Sequence, residues 1–137
     1  MRLFNVKGKL VVKNVAKYII KWDGPSKSNI QFRVKQFLKP YWQGFIVYEE
    51  FPVYGTMMKV DILNATLKIS IEVNGPQHSQ FHYFHNNNPA AYLDSIKNDV
   101  KKATWLEKNN FKVVEINFDE IDSLSKDFFK DKFDILL

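Results

Sequence analysis

Three apolar, strand-like segments follow one another between Phe45 and Asn74, and they constrain this chain more than any other feature. Phe45 to Phe51, Met57 to Leu63 and Leu67 to Asn74 are rich in Val, Ile and aromatic residues. The breaks between them, Pro52 to Gly55 and Asn64-Ala65, are short and carry turn chemistry. Strands joined so closely are expected to form an antiparallel meander, because parallel pairing requires a long crossover.

The elements around this meander are expected as follows. Val12, Val15, Ala16, Ile19 and Ile20 fall at helical spacing between Val11 and Trp22, so a short N-terminal helix is expected there, ended by Asp23-Gly24-Pro25-Ser26. Ser28 opens a capping-box pattern with Gln31 three residues on, and Ile30, Val34, Phe37 and Leu38 give a second helix its apolar face before Pro40 stops it. Asn74-Gly75-Pro76 closes the third strand. A long polar stretch follows, and Pro89 suits the first turn of a helix. That helix, from about Ala90 to Asn109, is expected to bury Tyr92, Ile96, Val100, Ala103, Trp105 and Leu106, with Asn109-Asn110 as its C-terminal cap. Lys112 to Phe118 reads as a last strand. Asp119 to Leu137 reads as a turn and a closing amphipathic helix with Leu124, Phe128 and Phe129 inward.

The fold class is thus α/β (α+β): helix, three-stranded meander, helix, strand, with helices flanking a mixed sheet. A chain of 137 residues is the size of one domain, and its 45% hydrophobic content is too apolar for a disordered one. No apolar run approaches the roughly 20 residues that cross a bilayer, and the N-terminus has no apolar stretch before a cleavage site. A cytoplasmic protein without membrane contact is expected. The absence of cysteine excludes disulfides, thiolate zinc sites and cysteine nucleophiles.

Net charge is +5, but it is unevenly divided. Residues 1–60 carry 11 Lys/Arg against Asp23, Glu49 and Glu50, whereas residues 61–137 carry 9 against 12 acidic residues. A chain that touches a polyanion and also binds a cation needs such a division, since phosphates attract Lys/Arg and divalent metals attract carboxylates. A solvated basic face is the alternative.

Asp61, in Lys59-Val60-Asp61-Ile62-Leu63, and Glu72, in Ile69-Ser70-Ile71-Glu72-Val73, are misfits: each is a carboxylate among apolar strand residues. Burying a carboxylate is costly unless something pairs with it, and two on adjacent strands are economically explained by a shared divalent cation. The competing explanation is that each faces solvent or meets a distant lysine.

The run Val60-Asp61-Ile62-Leu63, then Lys68 to His78 through Glu72-Val73-Asn74-Gly75-Pro76-Gln77, then Asp99-Val100-Lys101-Lys102 and Phe111 to Ile116, resembles the PD-(D/E)xK nuclease superfamily. It is most similar to the branch of very-short-patch-repair endonucleases and phage homing endonucleases. Small free-standing nucleases of phages that infect marine cyanobacteria share the style of Phe37-Leu38-Lys39-Pro40-Tyr41-Trp42 and Glu49-Glu50-Phe51-Pro52-Val53. The resemblance covers residues 28–118, and it implies a restriction-endonuclease-like core there, between a basic N-terminal extension (1–27) and a C-terminal helix (119–137).

The resemblance implies a metal-dependent DNA endonuclease, a phage homing or nicking enzyme, that leaves 5′ phosphates. Asp61, Glu72 and the carbonyl of Val73 would hold Mg²⁺, for which Mn²⁺ substitutes. Asn74 stands where the family pattern has a lysine, and Lys102 on the following helix is the candidate to replace it. Gln31 stands where many relatives have a glutamate that binds a second metal through water. Gln77 and His78 follow the third strand as in the related branch, with Gln77 touching nucleic acid and His78 placed to act on a proton or the scissile phosphate. Lys27, Arg33, Lys35 and Lys39 would hold the backbone of double-stranded DNA.

Two other readings concern the loop: His78, His82 and His85 have a spacing that could bind zinc, and Phe81, Tyr83 and Phe84 could stack on bases or pack over the sheet edge. Small size suggests a homodimer on a long site. The rival reading is a non-catalytic nucleic-acid-binding module of the same fold, similar to the RNA-binding domain abundant in apicomplexans, favoured by Asn74 and Gln31. A structural or assembly protein that reuses the fold is a third.

Overall fold

The computed structural model describes residues 1–76 and 89–137. The meander forms as the turn spacing requires. Strands β3 (Val47–Pro52), β4 (Lys59–Asn64) and β5 (Ile69–Asn74) pair antiparallel in sequence order. Helix α2 (Pro89–Lys108) then lets β6 (Lys112–Asn117) return parallel to β5. The result is a four-stranded mixed sheet of order β3-β4-β5-β6.

Both faces of the sheet are covered, which is why its strands read as almost continuous apolar runs. On one face Val47, Ile62, Ile71 and Ile116 pack against α1 (Asn29–Trp42) and α3 (Lys126–Phe133), through Val34, Leu38, Trp42, Phe129 and Phe133. On the other, Phe51, Val60 and Leu63 meet Trp105 and Leu106 of α2, Tyr54, Phe111, and Leu3 and Val15 of the N-terminal segment.

Local signals set several boundaries. The Ser28 hydroxyl accepts from the Gln31 amide, as an N-cap should. At the end of α2, Asn110 adopts a left-handed φ of 69°, and Phe111 N–H and Asn110 N–H donate to the carbonyls of Leu106 and Glu107. That is a Schellman closure, with asparagine in the place glycine usually takes.

Three expectations are corrected. No helix spans Val11–Trp22: β1 (Arg2–Phe4) and β2 (Leu10–Val12) form a hairpin, followed by one 3₁₀ turn at Ala16–Tyr18. The helical spacing there is overridden by the open edge of β3, since Ile20 N–H donates to Val47 and Ile19 bridges to Tyr48, so the segment covers that edge instead of bonding to itself. Pro40 does not stop α1, which continues to Trp42 and lacks only the bond that proline cannot donate; the turn beyond it seats Trp42 in the core. Ile96 and Val100 are exposed. A helix of 20 residues is about 30 Å long while a six-residue strand spans about 20 Å, so one end of α2 must overrun the sheet.

Candidate active site

Asp61 sits where the sheet splays. The β3–β4 ladder runs through Glu49–Ile62 and Phe51–Val60 but lacks the Glu50–Asp61 pair, and the β4–β5 ladder stops at Ile62–Ile71, one pair before Asp61 would face Glu72. Glu50, beside the break, holds a left-handed φ of 54°, a strained conformation for a residue with a side chain. Instead of backbone pairing, the Asp61 carboxylate enters the gap, and its Oδ2 accepts the Val73 N–H at 2.8 Å. Asp61 is only 2% exposed.

The other oxygen, Oδ1, holds the Lys27 ammonium at 2.5 Å, and that ammonium also lies 3.9 Å from Glu50 Oε1. Burial lowers the pKa of Lys27, but the Asp61 hydrogen bond and the charges of Asp61, Glu50 and Glu72 outweigh it, leaving the group above its usual value. Glu72 is nearly buried. Its Oε1 lies 3.2 Å from Lys102 Nζ yet makes no well-directed hydrogen bond. Burial first, and then the charge of Asp61, push Glu72 up to about 8 against the opposing pull of Lys102.

These groups line a cleft of about 190 Å³ between β5, β6 and α2. Asp99, Lys102, Ala103 and Leu106 form its helical wall, and Val73, Asn74, Val113 and Glu115 its floor. The volume suits a phosphodiester group with a few waters. Asn74 reaches the cleft, but its amide donates to Asn117 Oδ1 at 3.1 Å and, more weakly, to Glu115 Oε2 at 3.4 Å.

Asp61, Glu72, Val73, Asn74 and Lys102 are therefore brought together, and Lys27 joins them from a turn where it was expected only to hold DNA. Lys35 is a correction: it is wholly buried, donating to Gly24 O at 2.7 Å and to Glu49 Oε1 at 3.0 Å. It follows Gln31 by one helical turn and shares its inward face, so it cannot touch DNA. Arg33 and Lys39 lie at the surface, paired with Asp122 and Asp23. Gln31 caps α1 only through its backbone; its side chain turns to the sheet and donates to Glu49 and Glu50. Gln77, His78, His82 and His85, with Phe81, Tyr83 and Phe84, lie outside the described residues.

Sequence reasoning missed Glu50, Asp99 and Glu115 as neighbours of the site. Glu115, in Val113-Val114-Glu115-Ile116, carries the same signal that singled out Asp61 and Glu72, an acid among apolar strand residues. Glu50 carries it too, within the first strand segment Phe45 to Phe51, whereas Asp99 sits among polar helix residues and carries none.

Among the described residues, no three His, Asp or Glu side chains converge as a metal cluster, and no helix is long and apolar enough to cross a membrane. The donor set still fits a hard divalent cation, since Mg²⁺ is commonly held by one or two carboxylates and waters, and Glu72 Oε1 is a buried oxygen left without a hydrogen bond. No family model and no solved structure matches the chain. Over 68 residues, 49% of its length, the chain is 29% identical to Uncharacterized protein 033L of Invertebrate iridescent virus 3, and it spans 34% of that protein.

Proposed function

We propose that this chain is a Mg²⁺-dependent DNA endonuclease built on a restriction-endonuclease-like core. The observation that carries the reading is the break in the sheet at Asp61, which sets one buried carboxylate against a second, Glu72, that has an unsatisfied buried oxygen. A fold that needed these acids only for stability would gain by replacing them with apolar residues.

Asp61 and Glu72, with the Val73 carbonyl, would hold the cation. Bound there, Mg²⁺ supplies a Lewis acid and a water of lowered pKa. Lys102, held at the cleft wall by α2, offers a positive charge to the phosphate that the Asn74 amide lacks. In-line displacement of the 3′ oxygen leaves a 5′ phosphate. Exposed Arg2, Lys7, Lys9, Lys13, Lys17 and Lys21, on the N-terminal hairpin and the turns after it, take over the backbone-holding role first given to Lys35 on α1.

The engagement of Asn74 by Asn117 and Glu115 favours a second reading, a nucleic-acid-binding module of the same fold that does not cut. Supercoiled plasmid incubated with the protein and Mg²⁺, Mn²⁺ or EDTA separates the two. Metal-dependent nicking or linearisation, lost in Asp61→Ala and Glu72→Ala, is expected. Nucleic-acid binding without cleavage in any metal would replace the nuclease with the binding module.

A further inference from the structure

Lys27 and a divalent cation would compete for Asp61, because two positive charges would crowd one carboxylate oxygen. Its Oδ2 is committed to the Val73 N–H, so Oδ1 is the oxygen left for a metal, and Oδ1 carries the Lys27 ammonium. We propose that Lys27 is an exchangeable internal cation: it neutralises Asp61 in the metal-free protein, is displaced when a divalent metal binds, and then delivers its charge to the substrate phosphate. The second half of this proposal rests on the nuclease reading; the exchange rests on the geometry at Asp61.

Lys27 and Lys102 differ in the property that exchange requires. Lys102 projects from the middle of α2 and its side chain is 18% exposed, whereas the Lys27 side chain is 55% exposed and precedes the N-cap of α1. The turn that carries Lys27 is itself fastened. The buried Lys35 ammonium holds the Gly24 carbonyl and Glu49, and Ser26 Oγ donates to Glu49 Oε2 at 2.6 Å. The backbone at Lys27 is thus anchored on both sides while its four-carbon stem is half in solvent, so the ammonium can swing from Oδ1 without moving the fold. Glu50, at 3.9 Å, gives it a second carboxylate on the way out. Asn74 has no charge to offer, and Lys27 supplies it at the solvent side of the cleft.

The test is a titration of metal-free protein with Mn²⁺, read by the electron paramagnetic resonance of free Mn²⁺, for wild type, Lys27→Met and Lys102→Met. Removing the competing ion should tighten Mn²⁺ binding of Lys27→Met by about tenfold, and clearly more than the same loss of charge at Lys102 does. Mg²⁺ should also shift the Lys27 side-chain resonance in protein labelled with ¹³C-lysine, while leaving that of Lys39 unmoved. Plasmid cleavage by Lys27→Met at saturating Mn²⁺ should fall despite the tighter binding, with Lys27→Arg recovering part of it. Unchanged or weaker Mn²⁺ affinity in Lys27→Met, or equal tightening in both variants, overturns the exchange while leaving the metal site standing. Unimpaired cleavage by Lys27→Met overturns the delivery to phosphate. A wild type that binds no Mn²⁺ overturns the metal site and the exchange together.

Discussion

Replacing Glu72 with glutamine should change how stability depends on pH more than it changes stability itself. In the folded chain Glu72 titrates near 8, against an ordinary value of 4.5, because burial and the neighbouring charge of Asp61 disfavour its ionised form. Below pH 4.5 the carboxyl is protonated in both states and costs nothing. Between 4.5 and 8 the folded state keeps a proton that the unfolded state has released, so stability falls as pH rises, and above 8 the loss is complete. At about 1.4 kcal/mol per pH unit the full loss is at most about 5 kcal/mol. Urea denaturation followed by tryptophan fluorescence at pH 5, 6, 7, 8 and 9 measures it, since Trp42 and Trp105 are both buried. The wild-type midpoint should fall steadily toward pH 9. Glu72→Gln has nothing to ionise, so its advantage over wild type should grow by roughly 4 kcal/mol at most across the series. Saturating Mg²⁺ should restore stability to the wild type at pH 8 and not to the variant. Parallel pH profiles for the two proteins would refute the assignment of Glu72 as a buried, proton-holding partner of Asp61.

Lys35→Met should destabilise the fold by about 3–5 kcal/mol in the same urea assay, because it leaves the Glu49 carboxylate without its counter-charge and the Gly24 carbonyl without its donor; adding Glu49→Gln should recover part of the loss. Trp105→Phe loses the Nε1 bond to the Phe4 carbonyl and leaves a cavity where the larger buried indole stood, and should cost about 2–4 kcal/mol in a thermal melt. Faster hydrogen exchange in β1 and β2 should accompany it, since among the described residues the Asn109 side chain would then be left to tie Phe4 to the end of α2.

How much of the site was legible from residues alone follows from the range of each signal. Asp61 and Glu72 stood out because the conflict between a carboxylate and its apolar strand neighbours lies within five residues. The splayed sheet at Asp61 and the orphaned Glu72 oxygen had no such local mark. In sequence Lys27 is one basic residue among several, and only the fold brings it across 34 positions to Asp61. Lys35 shows the reverse error: charge argued for the surface, while its place one turn after Gln31 on the inward face of α1 decided for the core.

Elements whose information is local are legible in the residues alone. The Val/Ile-rich strands and their short turns, the Ser28 cap, the start of α2 at Pro89 and its asparagine closure all follow from backbone preferences and hydrogen bonds a few residues apart. Tertiary structure decided what depends on partners distant in the chain. It turned the segment after Val11 from a helix into a cover for the β3 edge, drew Trp42 into the core past Pro40, and set Glu115 beside Asn74 by returning β6 parallel to β5. In each case a buried backbone group or side chain had to be satisfied by whatever the folded chain placed next to it, and that neighbour is not written in the adjoining residues.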